Sequence, residues 1–313
     1  MRIIVLVALI LTGILVGIAA MAVVLMLSGE GMSALLDQNA MMGGSVGRTR
    51  LLLVINHMTM FLLPALVWAL IYYKKKWFSG LGLKPTIHWL HVVAGIAFLL
   101  FAYPIVAKSY EINQSFNLPE WMSQMEDQTS ELLKNLLVMD TPGALMANVF
   151  IIAVIPGIGE ELIFRGIIQK EIYKYFRSPW VAIVVASVIF SAMHFQFAGF
   201  LPRFFLGMIL GLLFYWTNNL WIPILVHTFN NAFQVVLTYF KPDLLDQDFE
   251  KSVPVSWYAL IVSVLLSFFL GWWFQQRKVS EPEFNSGTVI QPVTETPVSS
   301  FPENETGEEK PLS

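Results

Sequence analysis

The chain has 313 residues, 56% hydrophobic and only 13% charged, against about 45 to 50% and 25% in ordinary soluble domains. That balance points to a protein embedded in a lipid bilayer, and a net charge of -3 with basic residues only in short clusters argues against nucleic-acid binding. The absence of cysteine removes disulfides, thiolate metal sites and a cysteine nucleophile, leaving Ser, His, Asp and Glu for any catalysis.

A membrane-spanning helix needs about 20 mostly apolar residues, and about eight such runs are expected. They are Ile3 to Leu27, Leu51 to Tyr73, Trp89 to Ala107, Ala144 to Ile168, Trp180 to Ala198, Phe204 to Trp216, Leu220 to Phe240 and Ser256 to Phe274. The fold class is therefore all-α, a polytopic membrane helix bundle. The first run continues past Ala20 and Ala22 and is too long for the core of a cleaved signal, so it reads as an uncleaved signal anchor. Residues 1–110 hold the N-terminal membrane helices, 111–143 an outer loop, 144–240 the functional core, 241–278 a second outer loop with the last helix, and 279–313 a tail.

Basic clusters follow the second run (Lys74, Lys75, Lys76, Lys84), the fourth (Lys170, Lys174, Arg177) and the eighth (Arg277, Lys278). With eight spans all three fall on one side, which the positive-inside rule makes cytoplasmic, together with both termini. A plasma (inner) membrane location is the expectation. The opposite loops hold Glu111, Glu120, Glu126, Asp127, Asp243, Asp246 and Asp248. Between the third and fourth runs, Leu118, Met122, Met125, Leu132 and Leu136 recur at helical spacing, which predicts an amphipathic helix on the outer face, started by Pro119 in its first turn. From Val279 onward, Pro, Ser, Thr and Glu predominate and a disordered tail is expected.

The fourth run places Glu160, Glu161 and Arg165 among apolar residues, and each ionised side chain at mid-bilayer costs about 2.5 to 3.5 kcal/mol on insertion scales. Successive helical residues turn by about 100°, so Glu161 and Arg165 lie on nearly one face and can pair. Glu160 points elsewhere and is the carboxylate left over for function. Two further polar sites follow, Phe190 with His194 and His227 with Asn231, each pair four residues apart. Pro156 is expected to kink its helix, Gly157 and Gly159 to permit close packing, and His57, His88 and His91 to be structural. Counting about 1.5 Å per residue from the inner face puts Glu160 and Asn231 near a depth of about 15 Å and His194 near about 22 Å. The fifth helix must then begin outside the bilayer or tilt.

The ordered set of Glu160-Glu161 with Arg165, Phe190 with His194, and His227 with Asn231 resembles the CPBP (Abi/CAAX) family of intramembrane proteases, which includes the type II CAAX prenyl endopeptidases. The resemblance covers about Ala144 to Phe240. It implies peptide-bond hydrolysis in which Glu160, helped by His194, takes a proton from a water attacking the scissile carbonyl. His227 and Asn231 would donate hydrogen bonds to the developing oxyanion, while Glu161, Arg165 and Phe190 support the site. No cofactor is required on this reading. Zinc held by Glu160, His194 and His227 is the alternative. The implied partners are the lipid bilayer and a membrane-associated protein or peptide substrate, possibly prenylated. A transporter would also carry intramembrane ionisable residues, but no paired halves are visible. A catalytically silent immunity or scaffold protein is the remaining rival.

Overall fold

A computed structural model describes residues 1–29, 45–245 and 255–278. The expected disordered tail and Asp246 and Asp248 lie outside the described residues. The elements in chain order are α1 (Arg2–Leu27), α2 (Val46–Leu81), α3 (Trp89–Gln114), α4 (Glu120–Leu137), α5 (Pro142–Phe176), α6 (Pro179–Ala192), α7 (Phe200–Thr217), α8 (Trp221–Phe240) and α9 (Trp257–Gln276). Among the described residues there is no strand.

Each predicted apolar run has become a helix, and α4 is the amphipathic one. Six helical runs are long and apolar enough to cross a membrane: α1, α2, α3, α5, the Phe197–Thr217 run that ends in α7, and α9. The other two apolar helices fall short for different reasons. α6 has 14 residues, about 21 Å against a hydrocarbon core of about 30 Å. α8 has the length, but His227, Asn230, Asn231 and Gln234 dilute its apolar character. Large hydrophobic side chains on α1 and α9, among them Leu11, Leu15, Leu265 and Phe268, face outward, as lipid-facing surfaces do.

Three sequence expectations need correction. The fifth helix ends at Ala192 rather than Ala198: the amides of His194 and Phe195 bond back to Ser191 and Ala192, and Phe195 takes a left-handed φ of 53°. His194 therefore sits in a loop beyond a short helix, which removes the depth conflict. The third helix runs on past Ala107 to Gln114. Pro119 caps α4 from outside instead of sitting in its first turn.

Two prolines shape the helices that carry the site. Widened π-helical turns occupy Met58–Leu62 and Val149–Val154, and Pro64 and Pro156 each follow two positions later. A helical proline lacks the amide that would bond the carbonyl four residues back and its ring clashes with that carbonyl; a wider turn relieves both. Pro156 thus acts through a π-turn. The carbonyl it frees, that of Ile152, accepts a hydrogen bond from Asn231 Nδ2 at 3.3 Å.

Hydrogen bonds gather the basic clusters at one end of the bundle. Arg2 lies 3.6 Å from Glu171 near the end of α5, while Lys170 Nζ donates to Gly80 at 2.9 Å. The amide of Leu220 bonds Gly82 at 2.8 Å and Lys278 Nζ reaches Tyr215 at 2.7 Å. Arg2 and Lys278 therefore lie at the same end. At the other end Arg50 Nε donates to Asn148 at 2.9 Å, and Asn148 Nδ2 donates to the Leu136 carbonyl at 2.5 Å, tying α2, α5 and α4 together.

Candidate active site

Glu160 is buried at 4% exposure in α5, between two π-turns. α2 can approach it because Gly159 has no side chain: a Cβ there would stand 3.2 Å from Phe61 Cβ. On the other side Gly157 lies against Thr228 of α8, where a Cβ would collide with the threonine hydroxyl and backbone. The two glycines foreseen as packing residues let α2 and α8 close on the helix that carries the carboxylate.

Each oxygen of Glu160 faces a histidine. Oε2 is 3.9 Å from His194 Nε2, and Oε1 is 3.6 Å from His57 Nε2. Both rings are anchored alike, His194 Nδ1 2.8 Å from the Phe190 carbonyl and His57 Nδ1 3.3 Å from the Leu53 carbonyl. A nitrogen held against a carbonyl must carry the proton, so in the neutral ring Nε2 is the acceptor. Two acceptors, His194 Nε2 and Glu160 Oε2, thus face each other beyond direct hydrogen-bond range. Oε2 is also buried with no hydrogen-bond partner among the described residues.

The neighbouring Glu161 is tied elsewhere through one oxygen, while its Oε2, like that of Glu160, is buried with no hydrogen-bond partner among the described residues. Its Oε1 accepts from Arg165 Nη1 at 2.6 Å and from His227 Nδ1 at 2.9 Å, and Arg165 Nη2 continues to the Gly207 carbonyl of α7 at 3.0 Å. One turn on, Gln169 makes the same kind of bond to Gly211, also at 3.0 Å, so α5 and α7 are laced side by side. Phe190 stands among these groups. Its ring lies 4.9 Å from His194 and 5.8 Å from His227, with the Arg165 guanidinium 4.8 Å away over its face.

The structure therefore brings Glu160 within 3.9 Å of His194, and joins Glu161, Arg165, His227 and Phe190 into a neighbouring cluster. Asn231 lies one turn beyond His227 on α8, half-buried, with one amide hydrogen spent on Ile152 and a second to offer. The loop bearing His194 is held from outside this group. Asn113 of α3 bonds Phe197 and Leu201, each at 2.8 Å, and Glu126 of α4 accepts from the Ala198 amide at 2.9 Å.

Residues 142–233, which carry every one of these motif residues, match the family of type II CAAX prenyl endopeptidase Rce1-like proteins. The family likeness is confined to that segment. Its similarity extends to the membrane-embedded CAAX protease MroQ of Staphylococcus aureus (strain USA300), 30% identical over 33% of this chain and 44% of that protein. It extends also to two proteins of Bacillus subtilis (strain 168): the uncharacterized protein YpbD, 26% identical over 33% of this chain and 54% of that one, and the putative membrane peptidase YdiL, 28% identical over 32% and 41%. The chain spans about half the length of these curated relatives. No solved structure matches it. Together with the apolar helices, the Rce1-like segment marks an integral membrane protein.

His57 is the residue whose place sequence reading did not foresee. Expected to be structural, it lies on α2, outside the Rce1-like segment, yet reaches the carboxylate as closely as His194 does. The signal was there: an ionisable side chain within a membrane run invites a functional reading whether or not it has a charged companion. Among the described residues no group of three or more His, Asp or Glu side chains is placed to hold a metal ion, and His227 turns Nδ1 to Glu161.

Proposed function

We propose that the chain is an intramembrane endopeptidase that hydrolyses peptide bonds of membrane-associated protein or peptide substrates. The observation that carries this reading is the buried, unpartnered Oε2 of Glu160 facing His194 Nε2 at 3.9 Å. A water between them would donate one hydrogen to each acceptor, leaving a lone pair for a scissile carbonyl. Glu160 takes its proton as general base and returns it to the leaving amine. The carboxylate never bonds to substrate, so no covalent intermediate forms.

The free amide hydrogen of Asn231 serves the developing oxyanion, where fixed donors act most strongly, and His227 on the same face of α8 adds Nε2–H when its ring is protonated, Nδ1–H being held by Glu161. Glu161 and Arg165 hold the ring of His227 and the spacing of α5 from α7. No metal enters the reaction on this reading. The names of the relatives favour proteolysis over transport, and a prenylated CAAX protein is one substrate class among the membrane peptides the site could take. The basic end faces the cytoplasm of the plasma membrane.

The test compares peptide termini in cells carrying the normal chain or Glu160→Ala, then cleaves the differing peptide with purified protein. Glu160→Gln and His194→Ala should be folded and inactive by at least about 100-fold, in line with loss of general-base catalysis. About one zinc per chain, with activity lost on chelation and restored by zinc, would replace this mechanism with a metalloprotease one.

A further inference from the structure

We infer that His57 is a positioning residue for the general base, holding Glu160 Oε1 so that Oε2 alone is turned to the water and His194. This rests on the proposed role of Glu160. Three observations meet here. His57 Nε2 is 3.6 Å from Oε1 while its Nδ1 is 3.3 Å from the Leu53 carbonyl, so the ring has its outer nitrogen aimed at the carboxylate. The adjacent Arg165 guanidinium is hydrogen-bonded to Glu161 and Gly207 rather than to Glu160. The backbone around His57 is built for the approach: the π-turn Met58–Leu62 begins one residue later, and Phe61 packs on Gly159 next to the carboxylate.

A glutamate turns freely about its last side-chain bond, and the two oxygens are chemically equal until something distinguishes them. With His57 on the Oε1 side, donating from Nε2–H when its ring is protonated or acting through one bridging water at 3.6 Å when it is neutral, the carboxylate plane is defined and each oxygen has one task. Without His57 the carboxylate can rotate, and misplacement of a reacting group by about 1 Å can cost about 100-fold in rate. His57 does not touch the scissile bond. It works through Glu160, and it comes from a helix that the family segment does not include.

The experiment uses the full chain in detergent micelles and an internally quenched peptide spanning a cleavage site present in normal cells and absent with Glu160→Ala. His57→Phe should remain folded, keep KM within about twofold and lose about 10 to 100-fold in kcat. His57→Gln, whose amide nitrogen can stand in for Nε2, should recover most of that loss. In parallel, the infrared carboxylate band that disappears in Glu160→Gln should shift in His57→Phe and shift back in His57→Gln. An unmoved band overturns the inference whatever the activity data say, and so does equal loss in both His57 variants. A fully active Glu160→Gln would instead sink the general-base reading, with the infrared result still deciding whether His57 holds the carboxylate. One zinc per chain, lost in both His57→Phe and Glu160→Gln, would make His57 a metal ligand and overturn the positioning role.

Discussion

Replacing Glu161 and Arg165, singly and together, tests the proposed division between a structural glutamate, Glu161, and a catalytic one, Glu160. Both side chains are almost wholly buried, at 0% and 1% exposure, and meet at 2.6 Å. Arg165→Leu leaves a buried carboxylate with only His227 beside it, and Glu161→Leu leaves a buried guanidinium with only the Gly207 carbonyl. Breaking such a pair from one side costs about 3 to 5 kcal/mol. The double replacement removes both charges. What remains is the Nδ1 of His227 without its acceptor, about 1 to 3 kcal/mol for a buried unsatisfied donor, since the Gly207 carbonyl still lies in the hydrogen-bond ladder of α7. The double variant should therefore be more stable than either single by about 2 kcal/mol, far from the sum of the two. Unfolding from detergent micelles by SDS titration measures this directly. Losses that simply add would refute the pair, and with it the division of labour between the two adjacent glutamates.

Other expectations concern the second line of support. Asn231→Ala should cost about 1 to 2 kcal/mol by leaving the Ile152 carbonyl unpaired, and Pro156→Ala, which restores a backbone amide there, should remove most of that cost; additive losses would break the link. Glu126→Ala should lower cleavage several-fold with little change in unfolding, while Glu126→Gln, which keeps an oxygen for the Ala198 amide, should behave as wild type; a normal rate in the alanine variant would detach α4 from the site. Single cysteines placed in this cysteine-free chain map its topology. Ser123→Cys should react with an impermeant maleimide from outside the cell and Lys278→Cys should not, and the reverse pattern would invert the proposed orientation.

The helices were legible because apolar runs of sufficient length have one stable form in a bilayer, and the pairing of Glu161 with Arg165 followed from helical spacing alone. Three features were not. The end of α6 depends on Phe195 adopting a left-handed backbone, which no composition signal announces in a phenylalanine. The task of Asn231 depends on which carbonyl Pro156 frees and on α8 lying beside it, a tertiary relation. The place of His57 depends on α2 closing on Gly159, so its partner is separated from it by most of the chain's first half.

The anchoring of the His194 loop bears on how the protein can be dissected. Residues 142–233 contain the recognisable motifs, but Asn113 and Glu126, which hold that loop, and Phe61, which seats α2 on Gly159, all lie before it. An excised fragment of that length would retain the signature while losing the clamps that bring its parts into register. The motif segment is thus a heritable label for the chemistry rather than a portable module, and grafting it onto another scaffold would require the flanking helices to travel with it.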